Sequence, residues 1–344
     1  MWRLKKPRFG LGWRPELAPA IFRNLDQIDV VEVIAEDWLD ARERDLRALR
    51  LLGATVPMIL HGTSLGLASV HAVDERRLTK IARLIDAVKP IAWSEHLAFV
   101  RAGGLEIGHL AASPRTRATI EGLMANVARA KRIVGTAPIL ENIATLIDPP
   151  MSEMSELDFV CEAIAACDVP LLLDLHNLHA NATNFGWSAS GFLAGIDELP
   201  IAYVHLAGGR LVRGGRILDD HLHATPDPVF ALLRELAARR EEPLTVVLER
   251  DGRFPHFDEL LAELRSAAAC CRPGLRKLAC APAARRQQAA AIQSGSELPH
   301  SEETLARLYV DAKFRARFLA NPSFDIDREG LELAAESYAR KRAR

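Results

Sequence analysis

Eight short apolar runs alternate along the chain with longer segments of helical periodicity, and this alternation constrains the fold more than any other feature. Residues 75–88, 118–134 and 228–240 carry apolar side chains at a spacing of three and four residues, which predicts amphipathic helices. A strand–helix unit repeated eight times within about 270 residues has the count and length of a (β/α)8 barrel. The strand candidates are residues 9–13, 30–34, 57–62, 92–96, 138–142, 170–177, 202–208 and 245–251.

A doubly wound parallel sheet is the alternative, because it is built from the same alternation of strands and helices. The positions of the polar residues favour the barrel, in which the carboxyl ends of all eight strands converge on one mouth. Most of the runs carry a histidine or an acidic residue at that end. We therefore predict an α/β fold, a (β/α)8 TIM barrel, over residues 1–271.

The character of the sequence changes after Cys271. Residues 272–300 are rich in Ala, Arg, Gln, Pro and Gly and lack strong periodicity, which is typical of a linker. Helical patterns return at residues 301–322 and 328–342. We expect residues 301–344 to form a small helical appendage that packs on the barrel or on a partner, since it is too short to bury much core alone.

The bulk composition excludes several classes of function. Lys and Arg number 44 against 45 Asp and Glu, so no overall basic charge indicates nucleic-acid binding. The five cysteines show no CxxC spacing, which favours a reducing compartment over a disulfide scaffold. The sequence contains neither a signal-peptide pattern nor an apolar stretch of the roughly 18 residues that a membrane span needs. We expect a cytoplasmic protein without a membrane partner.

Polar residues gather where the apolar runs end. One histidine or acidic residue at a strand end is usually a hydrogen-bonded cap or a turn former. Several buried carboxylates close together must be neutralised by cations or protonated, and a mouth lined by carboxylates and imidazoles is typical of bound metal ions. The candidate ligands are His61, His96, Glu141, Asp174, His205, Asp219, His221 and Glu249, with Asn177, His176 and His179 as second-rank ligands or supporting residues.

The number of candidate ligands indicates more than one metal ion. Eight or more donors exceed what one ion of about six sites takes, whereas bridging carboxylates let such a set hold two or three ions. Mixed nitrogen and oxygen ligation without thiolate suits iron, manganese or zinc, and histidine with carboxylate at an open site favours iron(II) oxygen chemistry. Spacing alone does not choose the metal.

Eight short motifs occur in an order that resembles the multinuclear non-heme iron-dependent oxidase family, a xylose-isomerase-like TIM barrel once classed as a domain of unknown function. The resemblance covers about residues 8–265. The motifs are LHG (60–62), SEHL (94–97), ILEN (139–142), LLLDLHN (171–177), NFG (184–186), VHLAG (204–208), the DxH pattern of DDH (219–221) and LERD (248–251).

The resemblance implies an enzyme with two or three iron ions, at least one ferrous and one ferric, that uses O2 as co-substrate. It places the metal ligands on the eight candidate ligands named above, His61 to Glu249. It also puts Asn177 at a matching polar position and makes Asp251 a candidate proton donor or acceptor. Members of this family modify ribosomally made precursor peptides, several at Cys and others at Asp or Asn. Related oxidases often need a small partner that binds the peptide's leader, and residues 301–344 could take its place or serve only as a packing or dimerisation element.

His176 and His179 depart from the family pattern, in which Asn and an aromatic residue are common, so they either supplement or merely line the site.

The pattern of ligands also fits other functions. A barrel sugar isomerase and a trinuclear-zinc phosphodiesterase use similar barrel mouths lined by histidine and carboxylate. A non-catalytic peptide-binding scaffold is a third alternative. Iron content would favour the oxidase, whereas stoichiometric zinc would contradict it.

Overall fold

Eight parallel strands close into a barrel in the computed structural model, which describes residues 6–272, 299–320 and 327–342. The strands follow one another around the barrel in chain order, and the first pairs with the last. This closure confirms the predicted TIM barrel and excludes the doubly wound sheet. Barrel strands 1 to 8 are Arg8–Gly12, Val30–Ile34, Met58–His61, Ala92–His96, Ile139–Glu141, Leu171–Asp174, Ile201–Leu206 and Thr245–Leu248.

Helices surround the barrel, and their apolar faces pack against its outer surface. In Glu75–Val88, for example, Asp74 caps the first turn by accepting from the Arg76 amide, and Leu78 and Ile81 are buried against the strands. No helix in the described ranges is long and apolar enough to cross a membrane. The α-helices up to residue 272 are Ala18–Arg23, Glu43–Thr55, Glu75–Val88, Arg117–Val134, Glu156–Cys167, Leu175–Phe185, Ala189–Gly195, Asp227–Arg239 and Phe257–Cys270.

Short elements decorate the loops between strands and helices. Two antiparallel hairpins lie outside the barrel, the first pairing Phe99–Ala102 with Leu105–Ala111 and the second pairing Arg210–Leu211 with Ile217–Leu218. Both follow a barrel strand and therefore lie on the side of the mouth. The 3-10 helices are Leu25–Gln27, Ala35–Trp38 and Arg213–Gly215.

The interior of the barrel changes from apolar to polar along its axis. Alternate residues of a strand point to the same side, so inward positions recur every two residues. One inward layer is apolar and consists of Val30, Ile59, Ile139, Leu172, Tyr203 and Val247. Two residues further along the same strands or directly after them stand Glu32, His61, Glu141, Asp174, His205 and Glu249, all buried. The barrel thus supports a polar layer near its mouth on an apolar floor.

Barrel strand 6 is shorter than the sequence predicted. It ends at Asp174 instead of running to residue 177, because the Asp174 carboxylate accepts a hydrogen bond of 2.6 Å from the Asn177 amide and caps a helix. The helix Leu175–Phe185 begins at once, so His176 and His179 lie on a helix and not on a strand.

The chain after residue 298 forms three helices, Pro299–Val310, Ala312–Leu319 and Arg328–Arg342. The single helix predicted for residues 301–322 is wrong, because the backbone at Asp311 is not helical and its carboxylate caps the second helix through the Phe314 amide. The predicted linker, residues 272–300, lies almost wholly outside the described residues.

These helices, which we call the tail, pack on the first hairpin at the mouth of the barrel. Leu305, Tyr309 and Leu331 share one buried apolar cluster with Phe99 and Ile107 of the hairpin. A buried carboxylate adds polar contacts to this packing. Glu302 accepts hydrogen bonds of 2.6 Å from Ser69 Oγ and 2.9 Å from the Val70 amide.

Replacing Glu302 with alanine should loosen the tail, because it leaves the buried Ser69 hydroxyl and the Val70 amide without their acceptor. Each buried group left without a partner costs about 1–3 kcal/mol. We expect faster tryptic cleavage within residues 299–342 under native conditions and a lower unfolding temperature. Glu332→Ala, at an exposed position of the last helix, is the matched control. Equal cleavage rates in the two variants would contradict the docking role of Glu302.

Candidate metal centre

The first group of potential metal ligands consists of His61, His96 and Glu141, and all three are buried. Glu141 Oε2 lies 3.4 Å from His61 Nε2 and 3.1 Å from His96 Nε2, yet it has no hydrogen-bond partner. The two rings are fixed from behind, His61 Nδ1 by Ser94 Oγ at 2.7 Å and His96 Nδ1 by the Gly62 carbonyl at 3.0 Å. Both Nε2 atoms therefore remain for a metal ion that Glu141 would share.

The second group consists of Glu141, Asp174, His205 and Glu249, whose ligand atoms lie within 4.8 Å of one another. His205 Nδ1 lies 3.1 Å from Glu141 Oε1 and 3.0 Å from Glu249 Oε2. Asp174 Oδ2 is buried and has no hydrogen-bond partner. Glu141 belongs to both groups, so one carboxylate could bridge two ions.

Glu32 completes the environment of His205, and the sequence interpretation missed it. Its carboxylate lies 2.9 Å from His205 Nε2 and accepts a hydrogen bond of 2.7 Å from the Tyr203 hydroxyl. When a carboxylate accepts a hydrogen bond from one imidazole nitrogen, here Nε2, the other nitrogen, Nδ1, remains available to bind a metal ion. The sequence does contain a signal for this role. Glu32 is the single charged residue in the run VVEVI (30–34), and it stands two positions after Val30, which faces the barrel interior.

Asp219 and His221 adjoin the second group. His221 Nε2 lies 2.9 Å from Asp219 Oδ1, and His221 Nδ1 lies 3.6 Å from Glu249 Oε2. His221 has a φ of 55°, so the backbone is turned there and is not extended. His176 Nδ1 lies 3.0 Å from Asp219 Oδ1 and so orients this carboxylate from a buried position.

The remaining second-rank residues have different environments. The Asn177 side-chain amide donates to the Asn142 carbonyl at 3.0 Å, and its Oδ1, buried and without a partner, is an available ligand atom at the cavity wall. His179 is half-buried on the same helix and is not among the residues that line the cavity. Of the sequence-predicted residues, only His179 stands apart from the centre.

Asp251 lies at the edge of the centre between two cationic groups. Its carboxylate accepts a hydrogen bond from Arg14 and lies 3.5 Å from His221 Nδ1. Burial raises the pKa of Asp251, but His221 and Arg14 outweigh it and hold this pKa below its usual range. The carboxylate is therefore ionised at neutral pH and holds no proton to donate.

The shifted pKa values in the centre indicate that its buried carboxylates must be balanced by positive charge. Burial and the neighbouring carboxylates of Glu141 and Asp219 raise the pKa of Asp174 to about 7. Burial lowers the pKa of His96, but the carboxylates of Glu141 and Glu95 outweigh it and raise this pKa to about 9. Without metal the site takes up protons to balance its carboxylates, and metal ions could do the same. The free ligand atoms and the donor chemistry both fit such ions.

A cavity of about 450 Å³ opens above the two ligand groups. Its floor includes His61, His96 and Glu141, and Arg77 and Glu106 stand at its rim. This volume is within the range of small-molecule sites, so the cavity has room for a substrate residue beside the candidate metal centre.

Known proteins are similar to this chain over the barrel. The sequence profile of the family described as RiPP precursor modification enzyme MbnB/TglH/ChrH, where RiPP denotes a ribosomally made and modified peptide, matches residues 8–272. A UPF0276 protein of Streptomyces avermitilis is 42% identical over 266 residues, which are 74% of this chain and 53% of that protein. The chain thus matches about half the length of this relative.

Other relatives are matched over almost their full length. A UPF0276 protein of Rhizorhabdus wittichii is 34% identical over 80% of this chain and 99% of its own. Among solved structures, a xylose isomerase domain containing protein from Salmonella typhimurium has a TM-score of 0.51 at 14% identity, over 79% of this chain and 99% of that one. D-psicose 3-epimerase from Clostridium cellulolyticum has a TM-score of 0.50 at 13% identity, over 76% and 96%. The two structures support the fold alone.

Removing the shared carboxylate should empty both ligand groups, whereas removing a histidine of one group should empty only that group. We therefore expect Glu141→Ala to lose the ions of both groups and His96→Ala to retain the ion of the second group. Metal per chain is measured by plasma mass spectrometry after iron loading and gel filtration, with circular dichroism to check the fold. Glu106→Ala, a rim carboxylate in the same cavity, is the control and should keep its metal. Full metal content in Glu141→Ala would contradict the ligand assignment.

Glu32→Gln should weaken the second ligand group, because the amide removes the charge that holds His205 with Nδ1 toward the metal. Loss of such a supporting carboxylate typically lowers metal affinity by about 10–100-fold. Chelator competition should show a weaker site beside an unchanged one. Glu36→Gln, a nearby partly buried carboxylate whose Oε1 accepts from the Thr63 amide, is the matched control. Equal affinities in both variants would show that Glu32 has no such role.

Proposed function

The chain belongs to the family of RiPP precursor modification enzymes MbnB/TglH/ChrH, and we propose that it is a multinuclear non-heme iron-dependent oxidase of a ribosomally made precursor peptide. The observation that carries this proposal is the pair of ligand groups that share Glu141 below a cavity. Both groups lie within the residues that the family profile matches. A bridging carboxylate supports a cluster of ions over a single ion.

The donor set supports iron as the metal. Every candidate ligand atom is a nitrogen or an oxygen, and ligation by histidine and carboxylate suits iron that reacts with dioxygen. We propose two or three irons, at least one ferrous and one ferric, with Asp219 and His221 available to a third ion. When bound, the cluster supplies the electron transfer that reduces dioxygen. The buried partners Ser94 and Glu32 keep the metal-facing nitrogens of the histidines directed inward.

The substrate is proposed to be one residue of a peptide, most readily a cysteine and alternatively Asp or Asn, placed in the cavity. A thiolate or carboxylate would be attracted to the cations at its floor. Removal of four hydrogens from this residue is balanced by reduction of one O2 to two waters, and removal of two hydrogens by reduction of O2 to hydrogen peroxide. The electrons come from the substrate, so no separate reductant is needed.

We propose Asp251 as a proton acceptor or positioning residue in this reaction. Its ionised carboxylate contacts Arg14 and His221 at the edge of the cavity. It can therefore orient both groups or receive a proton from the substrate. Because the carboxylate starts ionised, it can act as a proton donor only after it has first accepted a proton.

We further propose that residues 1–271 form the catalytic domain, 272–300 a linker, and 301–344 a domain that binds the peptide's leader in place of a separate partner protein. The tail's position at the mouth supports this role, because a leader held there would bring the following residues to the cavity. The described cysteines form no disulfide with one another, in keeping with a cytoplasmic reaction.

Mass spectrometry of precursor peptides co-expressed with this chain tests the function directly, with candidate peptides taken from neighbouring genes. We expect the loss of two or four hydrogens, or of a carbon unit, that requires iron and O2 and is absent with Glu141→Ala. Glu106→Ala is expected to support the modification. Stoichiometric zinc in the active protein, or modification without O2, would instead support a zinc hydrolase or an isomerase.

A further inference from the structure

A second, small cavity of about 40 Å³ lies beside the metal cavity, at the seam between the barrel mouth and the tail. Four residues line both cavities, so the two spaces are adjacent. They are His109, Leu110, Ala144 and Asp219. Asp219 is itself a candidate ligand and lies 2.9 Å from His221 Nε2, so the small cavity borders the candidate metal centre.

The last helix of the tail supplies one wall of this small cavity. Ala334, Ser337 and Tyr338 line it, at a spacing of three and four residues that places them on one helix face. All three are buried. They lie beyond residues 8–272, so this wall is not part of the barrel that the family profile matches.

The wall is held firmly against the barrel. Asp327, directly before the helix, pairs with Arg216 at 2.6 Å, and Arg216 also donates to the Leu146 carbonyl at 2.6 Å. The Tyr338 ring packs edge-to-face on His109, with ring centres 5.3 Å apart. The small cavity is therefore preformed, which lowers the cost of filling it.

Size and lining define what this small cavity accepts. One water-sized group needs about 10–15 Å³ of such volume, so the cavity has room for about three heavy atoms. Its lining is about equally polar and apolar, and Leu146, Ile217 and Leu218 supply apolar side chains from the barrel side. A side chain of the size of valine or threonine fits, whereas glycine leaves it empty and phenylalanine is too large.

We propose that this small cavity is a specificity subsite that holds the side chain of the peptide residue next to the reacting one. The fused last helix thereby selects the peptide sequence at the reaction centre, in addition to any role of the tail in binding a leader. This inference rests on the proposed function, because it requires a peptide in the metal cavity.

Binding of three capped peptides, acetyl-Xaa-Cys-Xaa-amide with glycine, valine or phenylalanine at Xaa, tests the subsite. The full chain is loaded with iron under anaerobic conditions, and affinity is measured by calorimetry. We expect the valine peptide to bind roughly tenfold more tightly than the glycine peptide, since burying one such side chain is worth about that factor. The phenylalanine peptide should bind less tightly than the valine peptide.

Variants of the cavity wall distinguish occupation of the subsite from general effects on peptide binding. Ala334→Trp fills the cavity and should make the valine and glycine peptides equal, whereas Ala339→Trp, exposed on the same helix, should preserve the preference. Leu218→Ala enlarges the cavity and should strengthen phenylalanine peptide binding, which keeps the test decisive if the tryptophan displaces the helix. Equal binding of all peptides to the natural protein would overturn the subsite alone. No binding of any of these leaderless peptides would also overturn the subsite, whereas the proposed function is judged separately by the co-expression experiment.

Discussion

The shared position of Glu141 is the constraint on which the rest of the centre depends. Its two oxygens face different histidines, Oε2 toward His61 and His96 and Oε1 toward His205. Such a carboxylate, fully buried among others, is stable only where positive charge lies on both sides. The raised pKa values of Asp174 and His96 show that protons supply part of this charge when metal does not. The barrel therefore keeps a buried charge that metal ions would neutralise.

Much of the fold and of the centre follows from the sequence by simple geometry. The strands are apolar runs of predictable length, and a closed barrel brings the ends of all of them to one place. An inward-facing apolar residue is followed two positions later by the polar one, as in Ile139 and Glu141 or Val247 and Glu249. Residues far apart in the chain could for this reason be assigned to one site.

Other features depend on contacts that no local pattern reveals. Glu32 acts on His205 from a strand more than 170 residues away, and the Tyr203 hydroxyl supports it. The early end of barrel strand 6 depends on the Asp174 side chain, which caps a helix where the apolar pattern continues. The docking of the tail on the first hairpin is packing between segments about 200 residues apart, and sequence periodicity shows only that each segment has an apolar face.

Anomalous diffraction at the iron edge from crystals of the iron-loaded protein tests the central claim most directly. The account predicts at least two iron peaks about 3.5–4 Å apart with Glu141 between them. One ion should be bound by His61 and His96 and the other by Asp174 and His205. A single peak that Glu141 does not bind, or peaks away from these residues, would contradict it.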